Sequence, residues 1–218
     1  MFLVEGNIGT GKSTFVKKIS KFFPHIQVCQ EPVENWQQAV YGSSLLENFY
    51  KDPYRWAYTL ETFAMACRVR QQLKDQLNSS PLCLIERSIY SGHYVFAFNS
   101  YEQGFLNGLE WELYNEWFAA ISHPCLPPKG FIYLRSEPET AYERIKKRSR
   151  DAENSISLDY IRQIHNRHET FLISKQGVSE CMQQTPVLVL DCNQEFEQDD
   201  LEFKIHAEKI FDFMYCLK

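Results

Sequence analysis

What this sequence lacks narrows its function before any motif is read. Its seven cysteines (29, 67, 83, 125, 181, 192, 216) are odd in number, scattered, and form no C-x-x-C pair. They read as reduced, mostly packed thiols of an intracellular protein. Positive charge is in deficit, with 23 Lys and Arg against 28 Asp and Glu and a formal net charge of −5. A broad nucleic-acid-binding surface is therefore not expected, because a polyanion would be repelled except at a local basic patch. No membrane span, signal peptide or transit peptide is read, since the first apolar strand starts at about residue 2, and the cytoplasm is the expected location. Internal repeats, low-complexity tracts and long linkers are missing too. Leu126-Pro127-Pro128-Lys129-Gly130 reads as a turn before a strand rather than a domain boundary. A chain of 218 residues that is 44% hydrophobic and 23% charged has an ordinary globular balance, so one domain over 1–218 is expected.

What is present begins near the N-terminus. Gly6-Asn7-Ile8-Gly9-Thr10-Gly11-Lys12-Ser13 fills every fixed position of the phosphate-loop pattern G-x-x-x-x-G-K-[ST]. The apolar run Met1 to Val4 precedes it, and from Thr14 onward Phe15, Val16, Ile19, Phe22 and Phe23 recur near helical spacing. Strand, glycine loop and helix form the context this motif requires. Glycines let backbone N–H groups turn toward phosphate oxygens, and the helix N-terminus adds partial positive charge. Lys12 would reach the β- and γ-phosphates, and the Ser13 hydroxyl would sit on Mg²⁺. The chain is expected to bind a nucleoside triphosphate with Mg²⁺.

Five short apolar runs can supply strands: 2–4, 26–29, 82–85, 131–134 and 187–190. Helical stretches are expected at 56–77, 106–121, 137–147 and 158–174. Apolar strands alternating with helices indicate an α/β fold, a five-stranded parallel sheet covered on both faces. Ligands in such sheets gather at the carboxyl ends of the strands. Three acidic residues fall there, at Glu31, Glu86 and Asp191, beside the phosphate loop. The run Arg144-Ile145-Lys146-Lys147-Arg148-Ser149-Arg150 holds five cations in seven residues. Arg144, Lys147 and Arg148 lie at i, i+3 and i+4, so they share a helix side and suit a basic lid over a triphosphate. His165 and His168, with Glu169, read as surface or packing residues rather than metal ligands.

Together these residues carry a resemblance. The E-G-N-I-G-x-G-K-S-T loop, Glu31-Pro32-Val33…Trp36, Glu86-Arg87-Ser88 and Arg148-Ser149-Arg150 resemble the deoxynucleoside kinases, relatives of deoxycytidine, deoxyguanosine and mitochondrial thymidine kinases. The likeness continues through Tyr50…Pro53…Arg55-Trp56, Ser91-x-x-Tyr94-x-Phe96, Leu158…Tyr160 with His168-Glu169, and Leu190-Asp191-x-Asn193…Phe196. It implies a P-loop kinase fold and ATP-dependent phosphorylation of a deoxynucleoside 5′-hydroxyl in nucleotide salvage. It also implies roles. Glu31 resembles the general base, Arg87 the arginine steadying it and the 5′-oxygen, and Glu86 the carboxylate that shares Mg²⁺ with Ser13. Tyr50 and Glu153 match the pair holding the 3′-hydroxyl, with Tyr50 crowding a 2′-hydroxyl. Arg144, Arg148 and Arg150 match lid positions, and Phe96 the ring that stacks on the base. Val33, Trp36, Leu46 and Ile8 match pocket walls. Asn193-Gln194-Glu195-Phe196 aligns with the segment covering the adenine of ATP. Members of the family pair as homodimers through long helices, here those within 56–77 and 106–121, the second rich in aromatics (Trp111, Tyr114, Trp117, Phe118).

The base-reading positions depart from the family. Glu61 stands where glutamine is usual; Glu61, Ala64 and Arg68 lie at i, i+3 and i+7 and can line one pocket. An ionised glutamate only accepts hydrogen bonds, which suits the N1–H and 2-amino group of guanine, while Arg68 suits guanine O6 or N7. Adenine and cytosine would set a ring acceptor against the carboxylate at a cost of about 1–3 kcal/mol; thymine is intermediate. Gly92 replaces the aspartate of purine- and cytosine-selective relatives, so Arg68 loses its usual carboxylate partner; pairing with Glu61 instead would neutralise both and weaken this base reading. Deoxyguanosine is the expected preference, with deoxyadenosine, thymidine or deoxycytidine as weaker substrates. Two other readings fit less well. A monophosphate kinase needs cations for a second phosphate, whereas Glu31, Tyr50 and Glu153 suit a neutral sugar. A guanine-nucleotide switch needs an N-K-x-D stretch, and no Asn-Lys pair occurs.

Overall fold

The computed structural model describes residues 1–37, 44–77, 82–150, 153, 155–194 and 200–217. Its five strands are β1 (Phe2–Glu5), β2 (Gln27–Cys29), β3 (Cys83–Glu86), β4 (Gly130–Arg135) and β5 (Val187–Asp191). They form one sheet in the order β2-β3-β1-β4-β5, and all neighbours are parallel. Each coincides within a residue or so with an apolar run expected to be a strand. Continuous apolar runs suit this sheet because both of its faces are covered.

The alternation along each strand divides the core. Phe2, Val4, Leu84, Ile132, Leu134 and Leu190 point to one face, against Phe15, Val16 and Ile19 of helix α1 (Lys12–Phe22) and Phe203, Ala207 and Ile210 of the C-terminal helix, Asp200–Cys216. Leu3, Cys83, Ile85, Phe131 and Tyr133 point to the other face, against Val95, Ile164 and Phe171. From β1 the chain crosses to the edge strand β2, returns to β3 beside β1, and then passes to β4 and β5 on the other side. The direction of winding reverses at β1, so the crevice beyond its carboxyl end is where an open α/β sheet receives ligands.

Between the strands lie α2 (Glu34–Gln37), α3 (Leu45–Lys51), α4 (Pro53–Leu77), α5 (Ile89–Ser91), α6 (Phe98–Glu102), α7 (Gly108–Ser122), α8 (Pro138–Arg148), α9 (Leu158–His168) and α10 (Glu180–Gln184). Helix α4 opens with proline in its first turn, where the missing N–H costs nothing. The helix expected over 158–174 is instead α9 followed by a π-helical turn at Glu169–Ser174, and a second π-helical segment, Gly92–Ala97, joins α5 to α6. Such wide turns re-aim side chains inside a helix, and a 3.6-residue pattern does not announce them. His168 is fully buried and stacks on Tyr133, with ring centroids 5.9 Å apart and planes within 4°; it packs rather than facing solvent. Five of the seven cysteines are buried and none is bonded to another. No helix among the described residues is long and apolar enough to cross a membrane.

Candidate active site

Backbone geometry that other residues rarely adopt shapes the loop after β1. Gly9 and Gly11 have φ of +85° and +86°, a region open to glycine and strained for others. A Cβ on Gly9 would come 2.3 Å from the Ala141 carbonyl oxygen of α8, so the loop lies flush against the lid helix. Asn7 does not face the loop's interior: its Nδ2 donates to the Ile161 carbonyl of α9 at 2.8 Å, and its Oδ1 accepts from the Ile8 N–H at 2.8 Å. The Thr10 hydroxyl donates to the Asn7 carbonyl at 3.1 Å. Thr14 sits in the first turn of α1. Lys12 folds back, its Nζ donating to the carbonyls of Gly6 (3.0 Å) and Asn7 (2.7 Å). Burial, and then the neighbouring Arg87 cation, bring its pKa down to about 7; phosphate oxygens would restore the charge.

The Ser13 hydroxyl donates to Glu86 Oε1 at 2.5 Å. A hydroxyl and a carboxylate in contact, with cleft space beyond them, are hard oxygen ligands that fit Mg²⁺, which takes few protein ligands and completes its shell from phosphate and water. No group of three or more His, Cys, Asp or Glu among the described residues could hold a metal by itself.

Opposite the loop stands Glu31, two residues beyond β2. Arg68 of α4 donates to its Oε1 through Nε (3.0 Å) and Nη2 (2.5 Å), and Arg87 donates to its Oε2 through Nε at 3.2 Å. Burial would raise the Glu31 carboxyl; Arg68 and Arg87, with Lys12 behind them, hold it below its ordinary value. Arg87 adopts φ +63°, unusual for a bulky residue and a recurrent feature of functional sites. The next residue, Ser88, caps α5 by accepting from the Tyr90 and Ser91 N–H groups. Thus Glu86-Arg87-Ser88 spans strand end, kink and helix start in three residues. Arg87 Nη1 is buried with no partner among the described residues, and the guanidinium lies 4.6 Å from the centre of the Phe96 ring.

One cleft collects most of the expected residues: Ile8, Gly9, Lys12, Ser13, Glu31, Val33, Trp36, Leu46, Tyr50, Glu61, Ala64, Arg68, Glu86, Arg87, Phe96, Arg148, Arg150 and Glu153 all line it. Glu61 is buried, and its only hydrogen bond among the described residues is a long one from the Ser100 hydroxyl at 3.5 Å. Burial pushes its carboxyl up to about 7, against the pull of Arg68. Arg68 thus pairs with Glu31 rather than with Glu61. Gly92 permits that: it does not line the cleft but lies under the guanidinium, where a Cβ would come 2.9 Å from Arg68 Nη1. Three wall residues were not singled out from the sequence. Phe49, Leu60 and Tyr160 also face the cleft, and Tyr160 packs edge-on against Tyr50 with centroids 6.1 Å apart. Helical spacing offered a signal for Leu60, which lies four positions before Ala64 on the same face of α4.

The lid departs from expectation at one position. Arg148 donates to Glu153 at 2.5 Å, and Arg150 lies 3.6 Å from the same carboxylate. Helix α8 ends at Ser149 in the left-handed conformation, φ +50°, turning Arg150 back over the cleft. Arg144 is directed elsewhere. Its guanidinium donates to the carbonyls of Cys192 (2.7 Å), Asn193 (3.0 Å) and Gln194 (3.0 Å). It clamps the segment after β5 rather than lining the phosphate cleft, because a long side chain at that turn of α8 reaches the β5 edge first. Asn193 is fixed further by accepting from the Glu137 N–H at 2.7 Å. Glu195 and Phe196 lie outside the described residues.

Comparison with known proteins agrees with this geometry. The deoxynucleoside kinase family profile matches residues 2–214. Deoxycytidine kinase 2 of Gallus gallus is 35% identical, over 97% of this chain and 89% of its own. Deoxycytidine kinase of Homo sapiens is 33% identical, over 98% and 90%. The mitochondrial deoxyguanosine kinase of Xenopus laevis is 35% identical, over 94% and 87%.

Proposed function

The chain belongs to the deoxynucleoside kinase family, and we propose that it transfers the γ-phosphoryl group of ATP to the 5′-hydroxyl of a deoxynucleoside, with deoxyguanosine preferred. The observation that carries this is Glu31: a carboxylate held ionised between two arginines, across the cleft from Lys12 and Ser13. Phosphoryl transfer depends mainly on positioning and charge stabilisation. In this reading the phosphate-loop amides and Lys12 hold the triphosphate, while Arg148 and Arg150 offset charge on the transferring group. Ser13 and Glu86 would hold Mg²⁺, which neutralises phosphate charge when bound. Glu31 accepts the 5′-hydroxyl proton, and the unpartnered Arg87 Nη1 is available to the 5′-oxygen. Tyr50 and Glu153 take the 3′-hydroxyl, and the base lies against Phe96 between Trp36, Val33, Leu46 and Ile8. The decisive assay is ATP consumption dependent on an added nucleoside, with the 5′-monophosphate identified as product. ATP turnover indifferent to nucleoside would reject the reading.

The guanine preference rests on Glu61 accepting from N1–H and the 2-amino group while Arg68 meets O6 or N7. A carboxyl that titrates near 7 supports a second reading, in which protonated Glu61 donates as well as accepts and takes cytosine. That reading agrees with the deoxycytidine kinases among the relatives. The two forms make opposite demands. Below pH 7 the protonated carboxyl can donate to a ring acceptor; above pH 7 the carboxylate can only accept. The ratio of kcat/KM for deoxyguanosine over deoxycytidine should therefore rise from pH 6 to pH 8, by about tenfold if one unpaired acceptor costs 1–3 kcal/mol. In Glu61→Gln the ratio should be low and flat with pH; a ratio that still rises would remove Glu61 from base reading.

We also propose a homodimer acting in the cytoplasm. Tyr114 is core, but Leu109, Leu113 and Trp117 form an outward apolar strip on α7, and Phe63 is exposed on α4, which packs against α7. The buried, unpaired thiols suit a reducing compartment. A monomer mass by light scattering at micromolar concentration would refute the dimer.

A further inference from the structure

Arg68 has two sets of acceptors within the cleft, the base and Glu31, and the structure shows it on Glu31. As a pure donor lining the base end of the cleft, it is the cation available to an acceptor on the base. Yet two of its nitrogens are engaged by Glu31 Oε1, at 3.0 and 2.5 Å, while Arg87 holds the other oxygen. Its guanidinium is also 5.4 Å from the centre of the Trp36 ring. Three of about four acceptor sites on the Glu31 carboxylate are thus filled before any hydroxyl arrives. The charged groups facing Glu31 are Arg68 from α4, Arg87 after β3 and Lys12 from α1, all cationic when protonated. A carboxylate so surrounded is a poor proton acceptor, because general-base efficiency falls as basicity falls.

Resting on the kinase reading, we propose that Arg68 is a positioning residue that couples base recognition to the general base. A nucleoside whose base presents an acceptor draws the guanidinium off Glu31, and Glu31 Oε1 then becomes free to receive the 5′-hydroxyl. In that step the 5′-hydroxyl proton passes to Glu31 as the O5′–phosphorus bond forms. The bond from the γ-phosphorus to the bridging oxygen of ATP breaks, and ADP leaves with the electron pair. Gly92 leaves room for the resting position, since a Cβ there would lie 2.9 Å from Arg68 Nη1 and displace that flexible side chain. The base is then read in kcat as well as in KM. A nucleoside without an acceptor binds but leaves Glu31 capped.

The test uses the full chain with ATP and two probes, deoxyguanosine and 7-deaza-6-thio-2′-deoxyguanosine, which keeps N1–H and the 2-amino group for Glu61 but lacks O6 and N7, leaving only a weakly accepting sulfur. In the wild type, kcat should fall at least tenfold without O6 and N7, and the acid limb of kcat for deoxyguanosine should lie above that of kcat/KM, because Arg68 has left Glu31 in the complex. In Arg68→Met the two nucleosides should reach kcat values within about twofold of each other. Both acid limbs should coincide at the higher position, since one opposing cation lowers a carboxyl by about 1–3 pH units. Gly92→Asp, which sets a carboxylate beside Nη1, should move the kcat/KM limb the same way. Unmoved limbs and an unchanged kcat ratio in the variants would overturn the coupling while leaving the kinase reading intact. If neither variant folds, a deoxyguanosine-bound structure decides. Arg68 parted from Glu31 supports the coupling, and Arg68 still on Oε1 ends it. No nucleoside-dependent ATP turnover in the wild type would overturn both.

Discussion

The two ends of the cleft are built by different means. The phosphate-loop end draws mainly on consecutive residues, Gly6 to Thr14, whose backbone amides are set by glycine conformation and the start of α1, beside the Lys12 and Ser13 side chains. The nucleoside end gathers Glu31, Tyr50, Glu61, Arg68, Arg87 and Glu153 from separate segments, and its working groups are charged or hydroxylated side chains. Amide dipoles keep their strength whatever surrounds them. Buried side-chain charges depend on one another, as Glu31, held low by its arginines, and Glu61, raised to about 7 by burial, show on the same cleft wall. One end is rigid and generic for triphosphates, while the other can be retuned by a single neighbour.

That contrast can be broken at three points, beginning with the largest expected effect. Glu31→Gln removes the proposed proton acceptor and should lower kcat by about 10²–10⁴-fold with the KM for ATP nearly unchanged. A matching loss of ATP affinity, measured by steady-state kinetics, would show that the two ends are not separable. Gly9→Ala attacks the other end. With φ at +85° and Ala141 O 2.3 Å from the new Cβ, it should cost about 1–3 kcal/mol in backbone strain, read as a lower urea midpoint. ATP binding should weaken far more than nucleoside binding. The smallest effect is expected from Arg144→Ala. Freeing the carbonyls of Cys192, Asn193 and Gln194 should raise the KM for ATP a few-fold and leave the KM for nucleoside alone. An equal rise in both would show that the segment after β5 supports the two ends of the cleft together, and a large fall in kcat would place Arg144 at the transferring phosphoryl after all.

Much of the fold was legible because its signals are local. The five apolar runs become the five strands, and the phosphate loop sits where its pattern places it. Glu61, Ala64 and Arg68 share a face as their spacing predicts, and all three reach one cleft. What escaped had no local signal. The π-helical turns at Gly92–Ala97 and Glu169–Ser174 break helical periodicity without a glycine–proline boundary. Arg144 and Arg148 are one helical turn apart, yet Arg144 meets β5's following segment and Arg148 meets Glu153. Spacing fixes which side of a helix a cation occupies, not which acceptor it finds first.

The sequence by itself determined the phosphate loop, the parallel sheet and the kinase family, because each rests on residue types in a short order whose physics is settled within a few neighbours. Only the tertiary structure decided that Arg68 lies on Glu31 rather than Glu61, and that burial pushes the Glu61 carboxyl up to about 7. Those facts depend on burial and on distances between charges far apart in the chain. In a low-dielectric cleft such distances set the energy of a charge more strongly than its identity does.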